Sequence, residues 1–317
     1  MVVEDVKADL SAFARSLGFS HFGIAAARPL TEARDRLDHW LEKNYHAGMG
    51  WMERDPQRRS DPEQVLSGAR SVISVAMNYY HPQQHSDADA MGRISRYAWG
   101  DDYHDVMDIP LRKLEEYLRE KLPGSASRRY IDTGPVMDKA WAAEAGVGWL
   151  GKHGNIITRD RGSWVFLGEV LTTAELPADS PMADFCGTCT ACLEACPTQA
   201  IVSPYVVDAN RCLSYLTIEY RGEAFPEGET LDFDRWLYGC DTCQDVCPWN
   251  SNAAQSAVEE FAPRLGEIEL PISEMAEMDD AMFRERFRRS PIKRTKAAGL
   301  RRNARTLLAQ QESYTDR

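Results

Sequence analysis

The eight cysteines are concentrated between residues 186 and 247, and their spacing restricts what the surrounding chain can be. Cys186, Cys189, Cys192 and Cys196 read C-x2-C-x2-C-x3-C and close on Pro197. Cys240, Cys243 and Cys247 read C-x2-C-x3-C and close on Pro248, with Cys212 between the two runs. Three thiolates two residues apart can wrap one cuboidal [4Fe–4S] cluster, while the cysteine before the proline is turned toward a second. On that logic Cys186, Cys189, Cys192 and Cys247 share one cluster, and Cys196, Cys212, Cys240 and Cys243 the other. Disulfides and structural zinc also use such cysteine pairs. The first need an oxidising compartment, whereas MVVEDVKADL is acidic and lacks the apolar core of an export signal. Zinc requires neither the Cys-Pro closure nor a reciprocal fourth ligand. A cytoplasmic location is expected.

Such reciprocal pairing is the habit of two-cluster ferredoxins. Here Cys212 replaces the missing third member of the second run, which makes residues 213–239 an insertion into a ferredoxin-like unit. At 317 residues and 43% hydrophobic content, the chain can bury a core of about 150 to 200 residues and still carry smaller modules. No run approaches the roughly 18 apolar residues of a membrane span, so no membrane partner is expected. The net charge of −12 argues against a polyanionic partner, yet its distribution is uneven. From Ala281 onward eleven Lys and Arg face three acids, a net of +8, which leaves −20 for residues 1–280. That asymmetry suits either a basic face for nucleic acid or a solvated helix surface balancing an acidic body.

Periodicity suggests an alternating α/β unit over the first 175 residues. Val6 to Leu17 has helical apolar spacing, His21 to Ala27 is a short strand, and Thr31 is placed to cap the helix EARDRLDHWLEK. SVISVAMNYY (71–80) and RRYID (128–132) predict strands, with a helix between them bent or broken at Pro110. Val136 to Ala145 reads as helix, after which NIIT and WVFLGEVLTT close the sheet. The predicted division is a sheet-and-helix domain over 1–177, an iron–sulfur domain over 178–258, and a basic helical region over 259–317.

Several motifs fail on context. Residues 146–153, GVGWLGKH, match G-x-G-x-x-G and nearly match a P-loop, but the helix precedes the glycines and the strand follows, and His153 replaces the Ser/Thr that would hold magnesium. These glycines are expected to permit a close backbone approach instead. Position 199 is Gln and position 250 is Asn, so no C-x3-C-x2-C run exists for radical chemistry. Asp102, Tyr103 and His104 half satisfy a corrinoid axial-histidine signature, but Met107 stands where glycine is needed, so His104 reads as a surface or packing residue.

The cysteine runs, together with RISRYAWGDDYH (93–104), YIDTGPVMDKAWAAEAGVGWLGKHGNIIT (130–158) and SPIKRTKAAGLRRNA (290–304), make the chain resemble the epoxyqueuosine reductases over nearly its whole length. The resemblance implies an α+β or α/β cobalamin-binding domain akin to reductive dehalogenases, a ferredoxin-like module with two [4Fe–4S] clusters, and a short HEAT-like helical end. It implies deoxygenation of epoxyqueuosine to queuosine at the wobble position of tRNA, with cobalamin reduced through the clusters by an external low-potential donor, in a monomer. Members often continue into further helical repeats that this sequence lacks. By resemblance Asp132 is the proton donor, and it should be partly desolvated so that its pKa rises toward neutrality. Read from residues alone, the same Asp can cap a helix before Val136. The resemblance places Arg59, Trp99, Lys139, Lys152, Asn155 and Ser214 around the corrinoid with Asp132 above the metal. It places Tyr220, Arg221, Arg294, Lys296, Arg301 and Arg302 against tRNA. Three alternatives share the cysteines: a plain iron–sulfur electron carrier, which has no use for the first 175 residues; a small-molecule reductive dehalogenase, which has no use for a basic tail; and a nucleic-acid-binding protein whose clusters are only structural, to which loss of Asp132 would cost nothing.

Overall fold

The computed structural model describes residues 3–225 and 231–315. Helix α1 (Val3–Ser16) leads into strand β1 (His21–Ala26), followed by α2 (Thr31–Glu42), the short α3 (Pro56–Ser60), β2 (Ser71–Asn78) and β3 (Met91–Ile94). Next come α4 (Tyr103–Lys121), β4 (Ser127–Tyr130), α5 (Asp138–Glu144), β5 (Trp149–Leu150), β6 (Ile156–Ile157) and β7 (Val165–Thr172). Four strands form a sheet in the order β1-β2-β7-β4, and every pairing is antiparallel. All eight residues of β2 are buried because helices cover both faces. On one face Leu10 and Ala14 of α1 and Leu111, Leu114 and Leu118 of α4 pack on Ile73, Val75 and Val170. On the other, Ala33 of α2 and Trp141 and Ala142 of α5 pack on Val72, Ala76 and Leu171. The helices offer single apolar stripes of 3.6 periodicity, and the strand residues alternate between the two faces.

The unit is therefore α+β, and the alternating α/β expectation is corrected, since period-2 patterning does not reveal the direction of a neighbouring strand. NIIT does not join the sheet either. It forms a separate hairpin, β5 with β6, and the closeness explains a glycine of the 146–153 motif: a Cβ on Gly148 would lie 2.4 Å from the Ile157 carbonyl oxygen. Thr31 is the first helical residue and not the cap, a position taken by Leu30 without a side-chain bond. Helix α4 continues unbroken through Pro110, one ladder bond being lost there while Met107, Leu111 and Leu114 pack fully buried on either side.

Among the described residues the cysteine region contains only short pieces: α6 (Ala191–Ala195), β8 (Ile201–Ser203), β9 (Val206–Val207), α7 (Leu213–Ile218), β10 (Trp236–Tyr238) and α8 (Thr242–Asp245). Beyond it lie β11 (Glu269–Pro271), α9 (Ile272–Glu277), α10 (Asp280–Arg286) and α11 (Lys296–Thr315). Strand β3 pairs in parallel with β10 and antiparallel with β11. A common core joins Trp99, Leu216, Tyr238, Met275 and Leu300. The three segments read from the sequence thus interlock through one sheet and one core. Arg317 of the basic tail and residues 226–230 of the 213–239 insertion lie outside the described residues. Among the described residues no helix is long and apolar enough to cross a membrane.

Candidate active site

Strand β4 ends at Tyr130, and two residues later Asp132 adopts φ +58°, a left-handed backbone that costs a side-chain-bearing residue energy and is kept where the surroundings enforce it. The turn is pinned by the Thr133 amide donating to the Ile131 carbonyl at 2.6 Å. Gly134 lies under the Tyr130 ring, so closely that a Cβ would come within 2.1 Å of it. Helix α5 starts at Asp138 with Met137 as its cap, so Asp132 is not the cap of that helix. Its side chain is 63% exposed although protein surrounds it closely, the combination expected on the wall of a cleft.

Two residues at the start of α4 hold that carboxylate. The Tyr103 hydroxyl donates to Asp132 Oδ2 at 2.8 Å, and His104 Nε2 faces the same oxygen at 3.6 Å, an ion-pair distance beyond hydrogen-bond range. On its other side His104 Nδ1 lies 2.7 Å from Asp102 Oδ1, and Lys293 Nζ lies 2.7 Å from Asp102 Oδ2. Asp102 also caps α4 by accepting from the His104 amide at 3.1 Å. Charges thus alternate along Lys293, Asp102, His104 and Asp132. Burial pushes the His104 imidazole down, but the two carboxylates outweigh it and hold the ring at about 9. The same imidazolium, against the opposing effect of burial and with help from Tyr103, holds Asp132 below the ordinary carboxylate value. The expected rise of the Asp132 pKa is therefore corrected: the proton of this pair rests on His104. His104 itself is no idle surface group, and Tyr103 was not anticipated. The sequence signal was Asp102, a cap residue opening an amphipathic helix.

Lys139, on α5, is exposed yet closely surrounded by protein, which lowers its pKa, and both Asp132 and Asp138 lie within its electrostatic reach. Its ammonium donates to the Gly154 carbonyl and to Asn155 Oδ1, both at 2.9 Å. Burial likewise lowers the Arg59 pKa, opposed by nearby Asp138, and Arg59 donates to the Trp51 carbonyl at 2.8 Å. Asp132, Lys139 and Asn155 are thus neighbours, and Arg59 approaches them through Asp138. Cys212 and Cys243 also lie within reach of Lys139, so Lys139 stands between Asp132 and the second cysteine set. Ser214 adjoins that set through its amide, which points at the Cys212 sulfur. Two residues go elsewhere. Trp99 is 2% exposed, donates to the Ile94 carbonyl at 2.7 Å, and is a core residue. Lys152 turns away to the first cysteine loop, donating to the carbonyls of Gly187 at 2.6 Å and Cys189 at 2.8 Å.

All eight cysteines are free of disulfides. Cys192 has Cys247, Cys186 and Cys189 as charge neighbours, and Cys243 has Cys240, Cys212 and Cys196. The chain folds the two runs back on one another, which brings each Cys-Pro cysteine to the opposite set.

The basic residues divide. Arg302 is 7% exposed; it donates to the carbonyls of Leu216, Tyr220 and Gly222 and covers the rings of Tyr220 and Phe225. Arg302 braces the insertion from inside, which corrects the expectation that it faces tRNA, while Tyr220 beside it is half-buried. Arg301 is engaged with the Met278 carbonyl and Asp280, both at 2.8 Å. Arg221 donates to the Ile218 carbonyl at 2.7 Å and the Arg294 carbonyl at 3.1 Å. Lys296 is exposed. Arg294, exposed and paired with Glu219 at 2.7 Å, lies within electrostatic reach of Asp132. The basic segment therefore borders the cleft.

Comparison with known proteins follows this geometry closely. Residues 185–250 match the 4Fe-4S double cluster binding domain, and residues 59–133 match the family described as epoxyqueuosine reductase QueG, DUF1730. A sheet-and-helix cleft backed by such a module defines an iron–sulfur oxidoreductase. The epoxyqueuosine reductase of Synechocystis sp. is 49% identical over 87% of this chain and 96% of its own length. That of Gloeobacter violaceus is 48% identical over 95% of each. The chain belongs to the epoxyqueuosine reductase family. Among solved structures, epoxyqueuosine reductase with an epoxyqueuosine-modified tRNA-Tyr stem loop superposes with TM-score 0.90 at 32% identity, over 97% of this chain and 82% of that one. The Bacillus subtilis epoxyqueuosine reductase, whose catalytic aspartate loop is swung out of the active site, gives 0.91 at 31% identity over 99% and 83%.

Proposed function

We propose that the chain deoxygenates epoxyqueuosine to queuosine at the wobble position of tRNA, with electrons entering from an external low-potential donor through two [4Fe–4S] clusters. The observation that carries this reading is Lys139, which lies within reach of the Asp132 carboxylate on one side and of Cys212 and Cys243 on the other. A reducing centre and a proton-handling carboxylate thus approach one side chain. The residues around Lys139 suit cobalamin: the Nε of Arg59 is buried without a partner, and the recessed Lys139 ammonium can meet a phosphate or amide. Bound between Arg59, Lys139, Asn155 and the backbone at Ser214, it would supply a low-potential cobalt nucleophile.

The chain's own residues do the rest. Tyr103 and His104 orient Asp132 toward the cleft, and the proton held by His104 can pass through Asp132 to the oxygen of an opening epoxide. Lys152 fixes the first cysteine loop and places a positive charge beside it, which favours the reduced cluster. Lys293, Arg294 and Lys296 present positive charge at the cleft edge, where a phosphate backbone would bring its modified base to Asp132. The direct test is anaerobic, reconstituted protein with cobalamin, a strong reductant and an epoxyqueuosine-bearing stem loop. Mass analysis of the released nucleoside should show loss of one oxygen. Retained corrin with no change in the nucleoside would overturn the reading.

A further inference from the structure

Reducing an epoxide to an alkene breaks two C–O bonds, forms a C=C bond and releases water, so two electrons and two protons are taken up. The His104–Asp132 pair carries one proton. A second buried acid stands behind the same cleft. Glu169 lies in the middle of β7, 0% exposed, and is the lone charge in VFLGEVLT. Its cross-strand neighbours are Ser74 and Tyr130, which places it on the α5 side of the sheet with Val72, Ala76 and Leu171. Asp138, the first residue of α5, meets it, and the two carboxyl groups hydrogen-bond to each other. Apart from that contact, Glu169 has only the Ser74 hydroxyl, donating to Oε1 at 3.3 Å. Glu169 Oε2 and Asp138 Oδ1 are buried and find no donor elsewhere.

Two carboxylates in contact in apolar surroundings cannot both carry charge, so they share a proton. A buried glutamate serving only the fold would be matched by a cation or by a full set of donors. Here the cations are on the other partner, since both Arg59 and Lys139 lie within electrostatic reach of Asp138. That assigns the anion to Asp138 and the proton to Glu169. Burial and the adjoining carboxylate raise Glu169 far above the ordinary range. The charge of Asp132 is felt by both members, and Asp132 follows by two residues the β4 residue paired with Glu169.

We propose that Glu169 and Asp138 form a proton store behind the cleft that supplies the second proton of the reduction by way of Asp132, an inference that rests on the proposed deoxygenation. The first proton comes from His104 through Asp132 as the epoxide opens. The second leaves Glu169 as the oxygen departs as water, and both stores refill from solvent, while the clusters supply the two electrons. Glu169 and Asp138 touch no substrate and act through Asp132.

Infrared spectroscopy of wild-type protein at neutral pH, without substrate, tests the store itself. A protonated-carboxyl C=O band that shifts in D2O and disappears in Glu169→Gln is expected; absence of the band in wild type overturns the proposal whatever the variants do. Single turnover with the modified stem loop tests the role. Glu169→Gln and the conservative Asp138→Asn should slow it at least tenfold and change both the pH–rate profile and the solvent isotope effect, with stem-loop affinity unchanged. Unaltered rates and isotope effects overturn it. Should wild-type protein keep the band but fail to deoxygenate, the reaction and the role fall together while the shared proton stands.

Discussion

In the sandwich, β2 contributes eight consecutive buried residues and both faces of its sheet are roofed by helices; in the cysteine region, α6 and α8 have five and four residues and β9 has two. Helices that short are not stable alone. The apolar cluster nearest the first cysteines is also small, formed by Trp149, Ile157 and Cys247 with Trp249 at its edge. The sandwich is held by buried hydrocarbon, as α7 and β10 are, whereas the segment around the first cysteines has little of it and would gain order from what its sulfurs bind. On the proposed reading, the carboxylate that handles the proton is mounted on the first kind of structure and part of the electron supply on the second. A rigid wall would then carry the proton chemistry, and a ligand-dependent wall the redox chemistry.

The sharpest way to separate the two is to remove a sulfur. Cys247→Ala should abolish turnover, halve the bound iron and open the cysteine region to protease, while the far-ultraviolet signal of the sandwich persists; loss of the whole fold would erase the distinction. Next in size, Asp132→Asn should lower deoxygenation by about 10²–10⁴-fold with iron content and melting temperature unchanged. Leu111→Ala should act in the opposite sense, costing about 2–5 kcal/mol of sandwich stability by chemical denaturation with iron per folded molecule unaltered. A smaller effect is expected from pH. Since His104 is raised from 6.5 to about 9 in the fold, its contribution to stability is complete below about 6.5 and is lost as pH rises through about 9. The melting-temperature gap between wild type and His104→Gln should close over that interval. Smallest of all, Lys296→Ala should weaken stem-loop binding a few-fold, uniformly across sequences, and reduce the salt slope by about one.

What could be read from the sequence follows the same divide. Cysteine spacing is set by ligand chemistry, so the grouping of Cys186, Cys189 and Cys192 with Cys247 was legible before any coordinates. Strand positions were legible as well, because short, largely apolar runs mark β1, β2 and β7. Strand direction was not, since an antiparallel neighbour leaves the same pattern as a parallel one. Charged residues were the least legible. Lys152, Arg302 and Trp99 each have a chemistry that suits a ligand, and each turns inward to satisfy carbonyls of its own chain. Glu169 and Asp138 went unnoticed, although an acid in the middle of an apolar strand is itself a signal that something must share its charge. Tyr103 and His104 depend on α4 meeting the end of β4, a proximity that spacing cannot encode.

Strand β10 is hydrogen-bonded to β3, which also holds β11 at the root of the basic tail, and two residues beyond β10 the chain reaches Cys240. A large polyanion settling on the tail would load the same girder from which the second set of sulfurs is hung. Docking of cargo and delivery of reducing power would then be mechanically linked, and neither part could be exchanged for a foreign one without resetting the other.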